Sequence, residues 1–461
     1  MRRSRGGSRL SMDRHVTRRI LHGMGANAYG QLVVIVIQLA GVPILLHAWG
    51  TQLYGEWLIL AAIPTYLSMA DLGFSQSAGN DMTARIARGD TAGALAVFQS
   101  LSVMVYGLAL AGVVLVALLA AWLPLGQWLH FAGLSAREVR WILWLLAAEV
   151  LLRLCDGVNH AGFRSHGDYA RHVALNASTM LLQNVAAWVA ALFGAGPVGA
   201  AFALVAVRAV EVPAAAAWLL RRHHDVRLGL AHASTHELRR LIKPATANLA
   251  VPLASALNVQ GMVLVVGAAL GPVAVVVFST LRTLARLGLR MVQATNDAIQ
   301  PELAHAWGRG SREHLQQLFV RGLRMTAAMA LAAVVVLHFA GAWIIALWTN
   351  HQVRFDLALF DWLLLSSICI VMWHGALSLL QAANRHLRAA AWYVLSSGLG
   401  LILAYLFVRM TGDLAWVGMA LVIVDLLMLG YVQHRALQMI DLPLARLFAR
   451  LVGFTTAHGA A

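Results

Sequence analysis

The stretch Tyr29–Met82 limits what this chain can become more than any other part of it. It reads as two long apolar runs joined by a short connection bearing Trp49, Gly50 and Tyr54. Each run is about 20 residues long, the length that crosses a bilayer as a helix. Each holds a proline, Pro43 and Pro64, which membrane helices tolerate better than soluble ones. The second run closes on Asp71, Ser75, Gln76, Ser77, Asn80 and Asp81, polar groups that a plain anchor would not need.

The rest of the chain repeats this texture. Sixty per cent of its 461 residues are apolar and 12% charged, about half the charged share of a typical soluble protein. Apolar spans are predicted at about 24–47, 55–80, 97–122, 139–160, 170–193, 198–220, 245–267, 272–299, 320–342, 357–382, 388–408 and 413–434. The fold class is therefore an all-α polytopic membrane protein with about twelve transmembrane helices. The net charge of +15 comes almost wholly from arginine, with Lys243 the one lysine. If the N-terminus is cytoplasmic, 26 basic residues fall in cytoplasmic segments or at the span edges beside them and 4 in or beside external loops, the other five lying deeper within spans. That asymmetry places both termini inside and accounts for the charge without nucleic acid. Cys155 and Cys369 both fall inside predicted helices, so no disulfide framework is expected.

The polar stretch 221–243 lies midway along the chain. On that basis 1–23 is a basic N-terminal segment, 24–220 a six-helix lobe, 221–243 a linker loop, 244–434 a second six-helix lobe and 435–461 a C-terminal tail. A repeat supports the division. At a constant offset of 221, Gly50 matches Gly271, Arg88-Gly89 matches Arg309-Gly310, Phe98 matches Phe319, Met104 matches Met325 and Trp122 matches Trp343. Asp81 falls on another acid, Glu302. Six spans per repeat is even, so the repeat is parallel. Two bundles forming a V around a central cavity are expected.

No Walker A loop, His-Glu-x-x-His, Cys-x-x-Cys or Gly-x-Ser-x-Gly occurs, so no catalytic residue, cofactor or metal is expected. His223-His224 in the Arg-rich loop reads as solvated histidine. What remains is charge inside the membrane, which costs about 2.5–3.5 kcal/mol per residue by insertion scales and so faces the bundle interior. Arg282, Arg286 and Arg290 recur every fourth residue and share one helix face. They form either a cationic wall for a phosphate-bearing substrate or a set of structural ion pairs. Glu149, Arg153 and Asp156 read as a self-neutralising ladder, and so do Arg208 and Glu211. Asp425, alone in the twelfth span, is either a proton carrier or a structural acid. Asp71 is a candidate counter-ion opposite the arginines. Asp81 and Glu302 are candidate gate acids, with Arg18, Arg19 and Arg85 as partners.

The stretch GMGANAYGQ…QLAGVPILLHAWGTQLYGEWLILAAIPTYLSMADLGFSQSAGNDM resembles bacterial polysaccharide flippases of the multidrug/oligosaccharidyl-lipid/polysaccharide exporter superfamily. Its cues are the glutamines of the first helix, the Trp-Gly-x-x-x-Tyr-Gly connection and Asp-Leu-Gly-Phe in the second. The resemblance implies outward movement of an undecaprenyl-pyrophosphate-linked oligosaccharide by alternating access, in a bacterial inner membrane, with membrane lipids and glycan-synthesis proteins such as a polymerase as partners. In the related peptidoglycan-precursor flippases, an arginine precedes a Pro-x-Leu helix end by nineteen residues. Arg282 stands so to Pro301-Glu302-Leu303, which marks it as the pyrophosphate-facing residue. The absence of an arginine in the first helix and of a thirteenth and fourteenth span favours a glycan-repeat cargo over a peptidoglycan precursor. An ion-coupled multidrug or organic-cation antiporter of the same superfamily is the rival expectation.

Overall fold

The structure is a computed structural model that describes residues 5–71, 73–122, 131–383 and 385–452. The side chains of Arg18 and Arg19 lie outside the described residues.

The described chain is helical. In order it runs α1 (Arg5–Ala62), a 3-10 helix (Pro64–Asp71), α2 (Phe74–Ala87), α3 (Thr91–Trp122), α4 (Ala136–Ser165), α5 (Tyr169–Leu192) and α6 (Gly196–Arg222). There follow α7 (Thr235–Ala256), a π-helical turn (Leu257–Gly261), α8 (Met262–Leu270), α9 (Pro272–Gly308), α10 (Arg312–Trp348), α11 (Leu357–Ala382), α12 (Leu387–Thr411), α13 (Ala415–Met439) and α14 (Leu444–Val452). Ten helical stretches among the described residues are long and apolar enough to cross a membrane, which makes this a multi-pass membrane protein. One of them, Leu21–Ala87, takes in the first two predicted spans. The fourth predicted span lies on α4, whose Glu149, Arg153 and Asp156 lower its apolar character.

Two compact units share the chain. Unit one takes Met1–Gly50, Ile63–Trp128 and Ala132–Leu249; unit two takes Thr51–Ala62, Leu129–Phe131 and Ala250–Ala461. The change of unit inside α1 falls at Gly50, whose φ of 69° and ψ of 177° break the helix. Only glycine reaches this backbone region comfortably. Gly271 between α8 and α9 has φ 86° and ψ 178°, so the sequence repeat is also a repeat of backbone conformation. It recurs at the ends of α2 and α9. There Arg88 and Arg309 stay in or near the helical region, while Gly89 and Gly310 turn to φ of 80° and 68°. Phe98 and Phe319 are both buried, and Trp122 and Trp343 both exposed.

The second predicted span is corrected in one respect: it is not a continuous helix. Pro64 lacks the N–H that would continue α1, the chain tightens into the 3-10 helix, and Gly73 at φ 76° starts α2. The predicted linker is also partly helical, since α7 begins at Thr235.

Bilayer helices associate through close packing rather than the hydrophobic effect. In unit one, a Cβ on Gly162 of α4 would stand 2.5 Å from Leu219 of α6. In unit two, a Cβ on Gly341 of α10 would stand 2.4 Å from the Phe360 ring of α11. Glycine permits both approaches. Outward, α3 exposes Leu110, Val114, Leu115 and Leu118, and α10 exposes Leu331, Val335, Val336 and Phe339, as lipid-facing surfaces must.

Candidate functional site

The arginine stripe lies on α9 in unit two, and the π-helical turn between α7 and α8 supplies its partners. An i→i+5 turn leaves a carbonyl free of the regular ladder, and such bulges concentrate at functional positions. Arg282, 8% exposed, donates from Nη1 to the Val259 carbonyl at 2.9 Å. Its guanidinium lies 4.6 Å from the centroid of the Phe278 ring, a cation–π contact. Arg286 donates from Nη2 to Asn258 Oδ1 at 3.0 Å. The Nη1 of Arg290 and the Nδ2 of Asn258 are buried with no hydrogen-bond partner among the described residues.

These contacts bear on the two expectations for the stripe. Structural ion pairs would put carboxylates against the guanidinium groups. Among the described residues Arg282 and Arg286 instead meet a carbonyl, an amide and an aromatic ring. No ion pair is formed by Arg282, Arg286 or Arg290 among the described residues.

Asp425 of α13 is the buried acid nearest in effect to the stripe, and it is not alone as the sequence suggested. Its Oδ2 accepts from Ser366 Oγ at 2.5 Å and its Oδ1 from Trp373 Nε1 at 3.3 Å, both on α11. Arg286 acts on it electrostatically. Trp373 also stacks on His374, with ring centroids 3.9 Å apart, and Tyr393 on α12 hydrogen-bonds Ser255 on α7. Sequence reasoning missed Asn258, Ser255 and Tyr393. Asn258 was the findable one, an amide set within the apolar run of the seventh span.

Unit one organises its charges differently. Arg208 on α6, 1% exposed, donates to Asn176 Oδ1 at 3.1 Å, Gln183 Oε1 at 2.9 Å and Glu211 Oε2 at 3.1 Å. It also lies 3.8 Å from Glu149. Arg153 pairs with Glu149 at 2.8 Å, as its spacing predicted. Asp156 does not join that ladder. It accepts from Asn159 at 3.1 Å and lies 3.3 Å from His172 Nε2.

The gate candidates separate. Asp71 caps α2: its carboxylate accepts from the Ser75 N–H at 3.1 and 3.2 Å and from the Ser75 hydroxyl at 2.9 Å. Asp81 pairs with Arg85 at 3.0 Å, as predicted, and with Arg240. Arg85 and Arg240 both meet Glu237, at 2.8 and 3.0 Å, so this cluster ties α2 to the start of α7. Arg240 is held above the usual arginine range, chiefly by its bond to Asp81. Glu302 is exposed and has no ion-pair partner among the described residues.

No protein-family model matches the chain, and no curated protein matches it. Solved structures do. The inward-facing conformation of a multidrug resistance MATE family transporter of the MOP superfamily aligns over 88% of this chain and 96% of its own, with a TM-score of 0.73 and 17% identity. A MATE in complex with MaD3S aligns over 92% and 96%, with a TM-score of 0.56 and 18% identity. The outward-facing conformation of a multidrug resistance MATE family transporter of the same superfamily aligns over 92% and 95%, with a TM-score of 0.54 and 18% identity. The chain is thus similar in fold to MATE family transporters of the MOP superfamily.

Proposed function

We propose that the protein is a membrane transporter of the MOP superfamily, and that its cargo is an anionic, phosphate-bearing amphiphile of the lipid-linked oligosaccharide class. One observation carries the cargo reading: three arginines on a single helix face, with no carboxylate within 4.0 Å among the described residues. Holding uncompensated cations within an apolar bundle is costly, and an anionic cargo offsets that cost each time it binds. Guanidinium suits phosphate because its fork of donors matches the oxygens. On this reading Arg282 and Arg286 hold the pyrophosphate, Asp425 is a coupling acid, and the protein works in a bacterial inner membrane.

The second reading is a multidrug exporter. It is favoured by the fold neighbours, two of which are described as multidrug resistance transporters, and it fits those neighbours better than the flippase reading does. Cationic drugs, however, call for acidic walls, and the stripe has the opposite sign.

Proteoliposomes holding the purified protein separate the two. A fluorescent prenyl-pyrophosphate glycolipid crosses the bilayer protein-dependently on the first reading, and substitution of Arg282 and Arg286 by alanine stops it. Efflux of an organic cation with no glycolipid movement overturns the first reading in favour of the second. In cells, loss of the protein leads to accumulation of a lipid-linked intermediate whose glycan identifies the cargo.

A further inference from the structure

At one end of unit one, the turn between α4 and α5 meets the connection that leaves α6. His166 in the turn places Nε2 2.9 Å from Asp225 Oδ2 in the connection. The His166 and His223 rings lie 4.3 Å apart, centroid to centroid. Ligand atoms of His166, His223 and Asp225 all fall within 4.8 Å of one another. His223, read from the sequence as a solvated histidine, is half-buried and engaged.

The donor atoms of this cluster are held from behind. His166 Nδ1 lies 2.9 Å from the Gly162 carbonyl oxygen and 3.0 Å from Ser165 Oγ, so that side of the ring is engaged within α4 and its turn. Nε2 is thereby turned to Asp225, with the His223 ring beside them.

We propose that His166, His223 and Asp225 bind a divalent cation of the zinc type. Two imidazoles and one carboxylate form a three-ligand set that suits Zn²⁺ and leaves a fourth position open. Imidazole also selects against magnesium and calcium, which take oxygen ligands. The surroundings have the form that metal-bound histidines need, with the second ring nitrogen held by a carbonyl or carboxylate. Gly162 holds His166 in this way. Asp168 holds His223, its Oδ2 3.1 Å from His223 Nε2, and is itself fixed by Arg222 at 2.7 Å and Arg171 at 2.8 Å. Zinc–ligand bonds of about 2.0–2.2 Å require His166 and Asp225 to part slightly and His223 to move in. The irregular connection after α6 leaves room for that adjustment. The ion would pin this connection to the α4–α5 turn.

The test uses the full chain without a polyhistidine tag, purified in detergent, stripped with EDTA and titrated with Zn²⁺ against a chromophoric chelator. One equivalent binds to the parent protein. His223→Ala and Asp225→Asn weaken binding at least ten-fold. Asp168→Asn, which touches no metal, weakens it by about 10–100-fold. His224→Ala, exposed in the same connection, leaves it unchanged. Thermal unfolding without metal verifies that each variant is folded. Zinc binding equal to the parent's in a His223→Ala, Asp225→Asn double variant overturns the proposal. So does a parent protein that binds no stoichiometric zinc.

Discussion

Both units bury arginine, but they satisfy it in opposite ways. In unit one Arg208 is surrounded by two glutamates, a glutamine and an asparagine, and Glu149 is shared with Arg153. In unit two Arg282 and Arg286 are met by a carbonyl, an aromatic ring and an amide, and Asp425 by a hydroxyl and an indole. Acid pairing consumes charge and builds structure. Neutral partners fix a charged group's position and leave its field available to a ligand. The same residue type is therefore a strut in one unit and a candidate binding group in the other.

The largest effect expected from that contrast is on stability. Arg208→Met strands Glu211 in the bundle, while Glu149 keeps Arg153, and removing one partner of a buried pair costs about 3–5 kcal/mol. Arg282→Met strands only a carbonyl, a loss of about 1–3 kcal/mol. Thermal unfolding in detergent, followed by size-exclusion profile, should show the first variant far less stable than the second. Equal losses would remove the distinction between the units.

Transport should show the reverse order. On the proposed reading, alanine at Arg282 and Arg286 removes charge-assisted bonds worth about 1.5–3 kcal/mol each to an anionic cargo, and glycolipid transport falls by about ten-fold or more while the protein stays monodisperse. Arg153, half exposed and paired with Glu149, changes transport little when it becomes alanine. A larger transport defect at Arg153 than at Arg282 would invert the assignment.

Much of this was legible before any coordinates. Bilayer-length apolar runs left helices as the only economical structure, and the offset of 221 exposed the repeat because glycines at positive φ cannot drift. The i, i+3 and i, i+4 pairs, Arg208 with Glu211 and Arg153 with Glu149, follow from helical spacing alone. What escaped notice lay between helices. Asp425 looked solitary because Ser366 and Trp373 lie on α11, about fifty to sixty residues earlier. Arg240 as a partner of Asp81 and His166 as a neighbour of His223 are long-range meetings of the same kind. The π-helical turn at Leu257–Gly261 leaves no periodicity signal, and the break at Pro64 was hidden because membrane helices tolerate proline within them.

The repeat offers a sharper comparison, because equivalent positions can be changed one at a time. A side chain at Gly50 or Gly271 meets nothing within 4 Å, so alanine there costs backbone strain alone, about 1–3 kcal/mol. The two losses should agree within about 0.5 kcal/mol if both breaks do the same work, a difference that thermal unfolding resolves. A much larger loss at Gly50 would show that the α1 break, where the chain changes unit, has a role its counterpart lacks.

The smallest effect tests whether acid pairing in unit one matters when it is exposed. Ser135 caps α4 through a reciprocal pair: its hydroxyl oxygen accepts from the Glu138 N–H at 3.3 Å, while its own N–H donates to the Glu138 carboxylate at 2.8 Å. The Ser135 hydroxyl, with the Ser135 N–H behind it, holds the Glu138 carboxyl below the usual range. A depressed acid stabilises the fold above its unfolded pKa, about 4.3, and that contribution disappears as pH falls through the folded value. At pH 7, Ser135→Ala should therefore cost about 0.5–2 kcal/mol, the range for a lost cap. In thermal unfolding the gap between variant and parent should narrow as pH is taken below 4, because the parent loses its own Glu138 contribution there. A gap that stays constant across that range would mean that the cap works through the Ser135 hydroxyl alone, and that exposed carboxylates in unit one, unlike Glu149 and Glu211, contribute nothing to holding it together.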